Sequence, residues 1–290
     1  MKYISSADVW AAIPVRGAAS HKGDYGKALI VAGCSEYRGA AALACLGALR
    51  AGAGLVTLAS GEAVIASVAS RILEATFLPL TASPADIANS SACPALFEKA
   101  AGASAVLIGC GMPETADTAA LVQALLPVAS GAVILDAGGL CSIKDALSVL
   151  QSAKAPLIIT PHVGEMAKLS GKTVAQVNAA RAETASAFAM QHNTIVVLKS
   201  HRTLIAAPDG ALIQNTTGNA GLARGGAGDV LAGIIAGLCA IGLAPYDAAM
   251  CGVYLHGLAA DLCAARLSMQ GMLPEDILAD LCSIFSEKCR

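Results

Sequence analysis

The sequence predicts an α/β fold of three layers, in which a mostly parallel central sheet has helices on both faces. Short apolar runs alternate along the chain with longer Ala-rich runs, a pattern typical of strands and helices in turn. Most of the apolar runs lack polar/apolar alternation, so we expect strands that are covered on both faces. Ligands bind such sheets in the crevice beyond the carboxyl ends of the strands, and functional motifs should therefore follow strands directly.

The predicted elements alternate from residue 28 onwards. Strands are expected at Ala28–Ala32, Leu55–Leu58, Ala105–Ile108, Ala132–Leu135, Leu157–Ile159, Thr194–Leu198, Thr203–Ala206 and Ala211–Ile213. Helices are expected at Ala40–Ala51, Thr118–Val128, Gly164–Leu169, Val174–Gln191, Ala227–Ile241 and Pro245–Ala265. No composition shift, linker or internal repeat divides the chain, and we expect residues 1–290 to form a single domain.

Composition and charge narrow the class of protein. Hydrophobic residues make up 56% of the chain and charged residues 14%, so the chain has enough apolar surface to fold into a core. So few charges leave little polar material to cover a monomer, which predicts burial between the subunits of a homo-oligomer. The net charge of −2 and the lack of basic runs argue against a nucleic-acid partner.

The cysteines and the apolar segments indicate a cytoplasmic protein without a membrane anchor. None of the ten cysteines forms a Cys-x-x-Cys pair, and residues such as Cys45 and Cys251 lie among Ala and Leu as small hydrophobes. Asp8 and Pro14 rule out a secretory signal in the first residues. The uncharged stretch 230–246 is shorter than the roughly 20 residues that a membrane helix needs.

The strongest motif is a glycine-dense loop that leads into an apolar helix. It reads Gly218-Asn219-Ala220-Gly221-Leu222-Ala223-Arg224-Gly225-Gly226-Ala227-Gly228-Asp229. Backbone N–H groups at such a helix start form an anion site, so we expect an anion hole at Gly225, Gly226, Ala227 and Gly228. Asp229 in the first turn can act as a base towards a hydroxyl beside a phosphate. The alternative is a tight packing turn in which Asp229 only favours the helix start.

Two common nucleotide motifs are absent from the sequence. No Gly-x-x-x-x-Gly-Lys-Ser/Thr occurs, so the loop is not a Walker A motif. No strand leads into Gly-x-Gly-x-x-Gly, which disfavours a Rossmann dehydrogenase. The glycine-dense loop near the C-terminus instead resembles the anion hole of ribokinase-like kinases.

Further motifs follow or precede the predicted strands. They are Ser20-His21-Lys22-Gly23-Asp24-Tyr25-Gly26-Lys27, Tyr37-Arg38-Gly39-Ala40-Ala41, Ile108-Gly109-Cys110-Gly111-Met112, Ile159-Thr160-Pro161-His162-Val163-Gly164-Glu165-Met166, Lys199-Ser200-His201-Arg202-Thr203 and Tyr254-Leu255-His256-Gly257. Together with the glycine-dense loop, the set resembles the ADP-dependent NAD(P)H-hydrate dehydratases of the stand-alone bacterial type along nearly the whole chain. The resemblance implies a ribokinase-like fold.

The resemblance also implies the residues that bind each substrate. The hydrated dinucleotide would contact Ala40, Gly111, His162 and Asp229, and Asp229 would be the catalytic base. The adenine nucleotide would lie along Lys199, Ser200, His201, Arg202 and Thr203 and against Gly228.

The activity implied is the repair of hydrated NADH and NADPH. ADP would be the co-substrate, with Mg²⁺ on the phosphates, and the products would be the reduced cofactor, AMP and phosphate. The resemblance favours a tetramer. The chain has no further domain large enough for a hydrate epimerase, so we expect a separate NAD(P)H-hydrate epimerase to act in the same pathway.

Two other functions share parts of this pattern. An ATP-dependent kinase of small alcohols or vitamins would have the same fold and anion hole and would release a stable phosphorylated product. A non-catalytic sensor of adenine nucleotides would bind its ligand and tolerate the loss of Asp229. A turnover assay distinguishes the sensor from both enzymes.

Several motif residues also have purely structural interpretations. In these, His162 orders a loop and Glu165 lies in the first turn of the next helix. Lys199 is then a solvated charge at a strand end. Asp136 either joins a metal–water network or caps a helix.

Other positions leave their role open or depart from the family pattern. His21 and Lys22 either order a loop or touch ligand, and His256 reads as a satisfied core histidine. Ser200 replaces a Gly usual in the family, which puts the geometry of the nucleotide loop in doubt. Residues 137–139 (Ala-Gly-Gly) replace a common Ala-Asp-Gly, which weakens the case for a second carboxylate from this loop.

Overall fold

The centre of the molecule is a ten-stranded sheet in a computed structural model that describes residues 2–81 and 93–288. In chain order the strands are β1 (Lys2–Tyr3), β2 (Lys27–Val31), β3 (Leu55–Ser60), β4 (Thr76–Pro79), β5 (Ala105–Ile108), β6 (Ala132–Leu135), β7 (Leu157–Ile159), β8 (Ile195–Leu198), β9 (Leu204–Ala206) and β10 (Leu212–Gln214). Their spatial order is β1-β10-β9-β8-β7-β6-β5-β2-β3-β4.

Parallel pairing runs without a break from β4 to β8, which confirms the prediction of a mostly parallel sheet. β9 is antiparallel to both β8 and β10, and β1 is parallel to β10. From β2 the chain continues to β3 and β4 on one side, whereas β5 to β8 extend on the other side. The strand order therefore reverses between β2 and β5, which opens a crevice at their carboxyl ends.

Both faces of the sheet are covered, as the lack of alternation predicts. Ala28 and Ile30 of β2 belong to one apolar cluster, and Leu29 and Val31 belong to another on the opposite face. A residue's Cβ points to the opposite face from that of its neighbour, so each parallel strand contributes to both clusters. Such strands read as continuous apolar runs in the sequence.

Helices form a layer on each face. In chain order they are α1 (Ser6–Ala12), α2 (Arg38–Arg50), α3 (Glu62–Ala69), α4 (Pro94–Gly102), α5 (Ala116–Leu125), α6 (Ala137–Cys141), α7 (Val163–Ser170), α8 (Val174–Ala179), α9 (Arg181–His192), α10 (Ala227–Ala240), α11 (Pro245–Gly271) and α12 (Ile277–Lys288). One apolar cluster takes its side chains from α1–α3 and α10–α12, and the other takes them from α4–α9. The three-layer architecture is therefore confirmed.

Helices α2 and α10 pack backbone against backbone. A Cβ atom added to Gly47 would lie 2.6 Å from the Val230 carbonyl oxygen, and one added to Gly237 would lie 2.5 Å from the Ala48 carbonyl oxygen. A Cβ atom at Gly233 would collide with the backbone of Ala44. Residues early in α2 contact residues early in α10, and later residues contact later ones. The two helices therefore run parallel and begin at the same end. Small residues allow this close approach and explain the Ala- and Gly-rich sequences of both helices.

The predicted strands are all present, with bounds that differ by at most two residues. The sequence does not predict β1, which has two residues, or β4, which ends in Pro79 at the edge of the sheet. The prediction of one helix over Val174–Gln191 is wrong, because Ala180 has φ −137° and ψ 50° and separates α8 from α9. Helix α1 is also not predicted, although Ser5 and Asp8 form a capping box at its start.

Helix α11 is the longest helix among the described residues, and it is apolar. Within the described ranges it alone is long and apolar enough to cross a membrane, by length and composition only. In the fold, 67% of its most apolar stretch is buried, and it packs against α1, α10 and α12. These contacts are those of a core helix.

Candidate functional site

The crevice between β2 and β5 brings together two of the predicted site residues. The Gly33 N–H donates to the Cys110 carbonyl oxygen at 2.8 Å. Gly111 follows with φ +65°, the left-handed region that favours glycine. A Cβ atom added to Gly111 would lie 2.6 Å from the Cβ of Ala40 and 2.8 Å from the Tyr37 carbonyl oxygen. Ala40 and Gly111 are therefore neighbours, and the site requires glycine at position 111.

A cavity of about 720 Å³ lies at the carboxyl end of the sheet. Ten of the predicted site residues line it: His162, Lys199, Ser200, His201, Thr203, Gly225, Gly226, Ala227, Gly228 and Asp229. Ala40, Gly111 and Arg202 are not among the described residues that line the cavity. A volume of this size is in the range of small-molecule and cofactor sites.

The glycine-dense loop enters α10 at the cavity. Gly226 precedes the helix with φ +99°, and Gly228 and Asp229 fall in its first turn. A Cβ atom added to Gly228 would lie 3.3 Å from Lys199 Nζ, so the backbone of Gly228 passes close to a cationic group. The helix start and the Lys199 ammonium thus present positive charge to the same part of the cavity.

A buried ion pair joins two strand ends beside this helix start. Lys199 Nζ lies 2.8 Å from Asp136 Oδ1, and the exposed fractions of the two side chains are 19% and 2%. The Thr160 hydroxyl donates to the same Asp136 oxygen at 2.7 Å. Burial lowers the pKa of Lys199, but the carboxylates of Asp136 and Glu165 outweigh burial and hold that pKa above its ordinary value. Lys199 is therefore charged, and the interpretation of it as a solvated edge charge is wrong.

Asp136, which immediately precedes residues 137–139, places a carboxylate at the cavity. Its side chain makes no hydrogen bond to the helix start that follows it, so it does not cap α6. It contributes to a negative field at Asp229 instead. Burial and the Asp136 charge raise the pKa of Asp229 to about 6, although the Cys110 thiol and Lys199 act in the opposite direction. A carboxylate with a pKa near neutrality is suited to accept a proton in catalysis.

Three side chains of the site could hold a metal ion. Ligand atoms of Cys110, Asp136 and Asp229 lie within 4.8 Å of one another. Burial and the two carboxylates raise the pKa of the Cys110 thiol well above its ordinary value, so this thiol is protonated and a poor ligand. Mg²⁺ is usually held by one or two carboxylates together with substrate phosphates and waters. The two aspartates therefore fit a Mg²⁺ ion that arrives with a nucleotide.

His162 and Glu165 form the start of α7. His162 Nδ1 accepts hydrogen bonds from the N–H groups of Gly164 and Glu165, at 3.0 and 3.2 Å. The Glu165 carboxylate accepts the His162 N–H at 2.7 Å and lies 3.9 Å from Lys199 Nζ. Glu165 is thus a first-turn residue, as its structural interpretation predicts. The His162 ring caps the helix and lines the cavity at the same time.

The predicted nucleotide loop is held by its own side chains and by α9. The Ser200 hydroxyl donates to the Arg202 carbonyl oxygen at 2.8 Å and accepts from the Arg181 guanidinium at 2.5 Å. The Thr203 hydroxyl donates to the Ser200 carbonyl oxygen at 3.2 Å. Ser200, the departure from the usual Gly, therefore takes part in fixing the loop. Arg202 is not among the described lining residues, and its guanidinium donates to the Thr216 carbonyl oxygen at 2.6 Å.

Helix α11 supplies site residues that sequence reasoning misses. Asp261 accepts the Gly218 N–H and the Asn219 side-chain amide, both at 2.9 Å. The Thr217 hydroxyl donates to the Tyr254 carbonyl oxygen at 2.9 Å. Thr217, Gly218 and Asn219 line the cavity, so α11 holds this part of the cavity wall in place. No local pattern around Asp261 in the sequence indicates this contact.

Three further motif residues, two histidines and one lysine, lie in different parts of the fold. His21 and Lys22 precede β2, at the amino end of the sheet and opposite the cavity, and they are not among its described lining residues. His256 is 6% exposed and lines the cavity, but its Nε2 has no partner among the described residues. The prediction of a satisfied core histidine is therefore correct for its burial and wrong for its hydrogen bonding.

The chain matches known proteins over most of its length. A family model described as NAD(P)H-hydrate dehydratase matches residues 28–282. The ADP-dependent (S)-NAD(P)H-hydrate dehydratase of Bacillus subtilis is 38% identical, over 93% of this chain and 92% of that protein. The bifunctional NAD(P)H-hydrate repair enzyme of Moorella thermoacetica is 41% identical, over 92% of this chain and 50% of that protein. The chain thus spans about half the length of the bifunctional relative.

Solved structures agree with these matches. The Bacillus subtilis ADP/ATP-dependent NAD(P)H-hydrate dehydratase, co-crystallized with ATP/Mg²⁺, superposes with a TM-score of 0.86 at 36% identity, covering 99% of this chain and 98% of that one. A ribokinase-like superfamily protein of Enterococcus faecalis superposes with a TM-score of 0.85 at 26% identity, covering 99% and 96%. With the site geometry above, these matches show that the chain belongs to the NAD(P)H-hydrate dehydratase family and has the ribokinase-like fold.

Proposed function

We propose that this protein is a hydro-lyase that dehydrates hydrated NADH and NADPH, in the (S) form, with ADP as co-substrate. The products are the reduced cofactor, AMP and phosphate. The observation that carries the proposal is Asp229, a carboxylate with its pKa raised to about 6, in the first turn of α10 where that helix opens into the cavity. Membership of the family supports the choice of substrate.

The chemistry explains why a kinase-like site is useful for a dehydration. Hydroxide is a poor leaving group and phosphate is a good one. The ring hydroxyl attacks the terminal phosphorus of ADP, its proton passes to Asp229, and AMP leaves. The ring-nitrogen lone pair then expels phosphate, and loss of a proton from the neighbouring ring carbon restores the dihydronicotinamide.

The remaining residues bind and orient the two substrates in this proposal. Ala40 and Gly111, at the crevice where the strand order reverses, contact the hydrated dinucleotide together with His162 and Asp229, which line the cavity. The adenine nucleotide lies along Lys199–Thr203 and against Gly228. The Gly225–Gly228 backbone stabilises charge on the transferred phosphoryl group, as a helix start does for anions.

A divalent ion fits the same site. We assign Asp136 as the carboxylate that would hold Mg²⁺, which would neutralise charge on the nucleotide phosphates when bound, whereas Asp229 stays free to accept the proton. The Bacillus subtilis relative co-crystallized with ATP/Mg²⁺ supports the use of Mg²⁺ together with a nucleotide. The Lys199 ammonium next to Asp136 supplies positive charge that belongs to the protein itself.

The first test of the proposal uses hydrated NADH with ADP or with ATP. Recovery of the reduced-nicotinamide absorbance should require nucleotide, and AMP and phosphate should appear in equal amounts. Turnover should be faster with ADP than with ATP at saturating concentrations of each. A stable phosphorylated product would favour the small-alcohol kinase, and nucleotide binding without turnover would favour the sensor.

The pH profile tests the role of Asp229 independently. A base must be deprotonated to act, so kcat/KM should fall as the pH drops through about 6, the raised pKa of Asp229. The Asp136 charge is one cause of this raised pKa, so Asp136→Asn should move the acidic limb to lower pH. An acidic limb that stays in place in the Asp136→Asn variant would assign the titration to another group.

Other features of the proposal concern the whole protein. We propose a homo-oligomer, a tetramer by family resemblance, which sedimentation of the 28.8 kDa chain at micromolar concentration tests. We also propose one domain over residues 1–290, a cytoplasmic location, and cooperation with a separate NAD(P)H-hydrate epimerase. The bifunctional repair enzymes among the relatives support a link between two activities on hydrated cofactors.

A further inference from the structure

Two buried histidines have a ring nitrogen without a partner. Among the described residues, the unpartnered buried side-chain nitrogen and oxygen atoms are His192 Nδ1 and His256 Nε2. His192 lies on α9, where its ring centroid is 4.3 Å from that of Phe188. It is not among the described residues that line the cavity. His256 lies on α11 and lines it. A buried polar atom without a partner is uncommon in native proteins, and at His256 the content of the cavity can supply one.

The protonation of the His256 ring limits what this partner can be. Burial lowers its pKa to about 4, while a hydrogen bond with the Ala227 backbone acts in the opposite direction. A hydrogen bond raises the pKa of a histidine when a ring N–H donates it to a carbonyl oxygen. Since Nε2 has no partner, we assign the ring N–H of the neutral histidine to Nδ1, which leaves a lone pair on Nε2. Nε2 therefore needs a donor from its partner.

Phosphate cannot be that donor at neutral pH, because the ionised oxygens of a nucleotide are acceptors only. The nucleoside part carries donors, namely the amino group of adenine and the ribose hydroxyls. Apolar residues of the cavity wall also suit a nucleoside. Val253, Leu222 and Leu231 line the same cavity as His256.

We propose that His256 is a specificity-determining residue of the nucleotide site, whose Nε2 accepts a hydrogen bond from the adenine amino group or a ribose hydroxyl. This inference rests on the proposed function only in taking the ligand to be an adenine nucleotide. It adds a contact on α11, far in sequence from Lys199–Thr203 and Gly228. Selectivity for the nucleoside then has a source separate from the groups that bind the phosphates.

Direct binding, without hydrated cofactor, tests this inference. Calorimetry would measure the affinity of the wild-type protein for ADP, 2′-deoxy-ADP, 3′-deoxy-ADP and the diphosphate of purine riboside, which lacks the amino group. The analogue without the donor should bind about 10-fold more weakly than ADP, the equivalent of one hydrogen bond. His256→Leu should lose about the same factor for ADP and should no longer distinguish ADP from that analogue.

Two further variants make the experiment decisive. His256→Gln keeps an acceptor near the position of Nε2 and should retain most of the affinity. His192→Leu removes the other unpartnered histidine and should bind all four nucleotides as the wild type does. Equal affinity of the wild type for all four nucleotides, or unchanged discrimination in folded His256→Leu, would overturn the inference. A wild-type protein that binds no adenine nucleotide would instead overturn the proposed function on which it rests.

Discussion

Asp229→Asn is expected to lower turnover by about 10²–10⁴-fold, the usual contribution of a positioned base. Asn has nearly the same shape and can occupy the first turn of α10, but it cannot accept the proton of the substrate hydroxyl. The loss should appear in kcat, because the interaction strengthens only as the hydroxyl attacks phosphorus. ADP affinity should change little, since the nucleotide is proposed to bind Lys199–Thr203 and Gly228. Steady-state kinetics and calorimetry on the same preparation measure both quantities.

The stability of the same variant provides its control. The folded-state pKa of Asp229 is about 6 and the ordinary value is 3.8, so ionisation of this carboxyl lowers the free energy of unfolding progressively between about pH 4 and 6, and the full loss persists above pH 6. At pH 8 the Asp229→Asn protein should therefore be more stable than wild type, by on the order of 1–3 kcal/mol, and the gain should vanish towards pH 4. A stable, folded variant that keeps more than about a tenth of wild-type turnover would remove Asp229 from the role of base.

Lys199→Met is expected to destabilise the protein by about 3–5 kcal/mol, because it leaves the buried Asp136 carboxylate without its cation. Met keeps the apolar stem of Lys199, so the loss reports the charge at 2.8 Å rather than the packing. Denaturant unfolding at neutral pH measures the effect. The double variant Lys199→Met/Asp136→Asn should recover a large part of the lost free energy, since neither charge is then left unpaired.

An exposed pair shows whether burial is responsible. Arg71 Nη2 lies 2.6 Å from a Glu275 oxygen, a shorter distance than in the buried pair, but the two side chains are 58% and 50% exposed. Exposed pairs contribute about 0–1 kcal/mol, so Arg71→Met should change the free energy of unfolding by no more than that. Equal losses in Arg71→Met and Lys199→Met would contradict the assignment of a special cost to the buried pair.

The parts of the site that depend on local sequence can be predicted well. The start of α10 at Ala227 follows from the glycines that precede it, and the position of His162 after β7 follows from an apolar run that ends in Thr160 and Pro161. In a parallel sheet such strand ends meet at one edge, so a shared site could be expected before any coordinates. These predictions need only neighbouring residues and the period of the apolar pattern.

The contacts that set the electrostatics of the site cannot be predicted in this way. Asp136 and Lys199 are 63 residues apart, and they meet because β6 and β8 both flank β7. The sequence contains no signal for this strand order. The same holds for Cys110 beside Asp229 and for Asp261 on α11, which contact the site only through tertiary packing. Their absence from the predictions explains why the raised pKa of Asp229 could not be foreseen.

The close backbone packing of α2 and α10 fixes the distance between the first turns of the two helices. Ala40 lies in the first turn of α2 and Asp229 in the first turn of α10, and these parallel helices touch at Gly47 and Gly233 without intervening long side chains. If Leu or Met side chains formed this interface, they could change rotamer and let one helix slide along the other. Glycine and alanine have no side-chain rotamers that could change in this way. Ala40 and Asp229, two of the proposed contacts of the hydrated dinucleotide, are therefore held at a fixed separation by the main chain. Substrate binding and product release are therefore expected to leave the packing of these two helices unchanged.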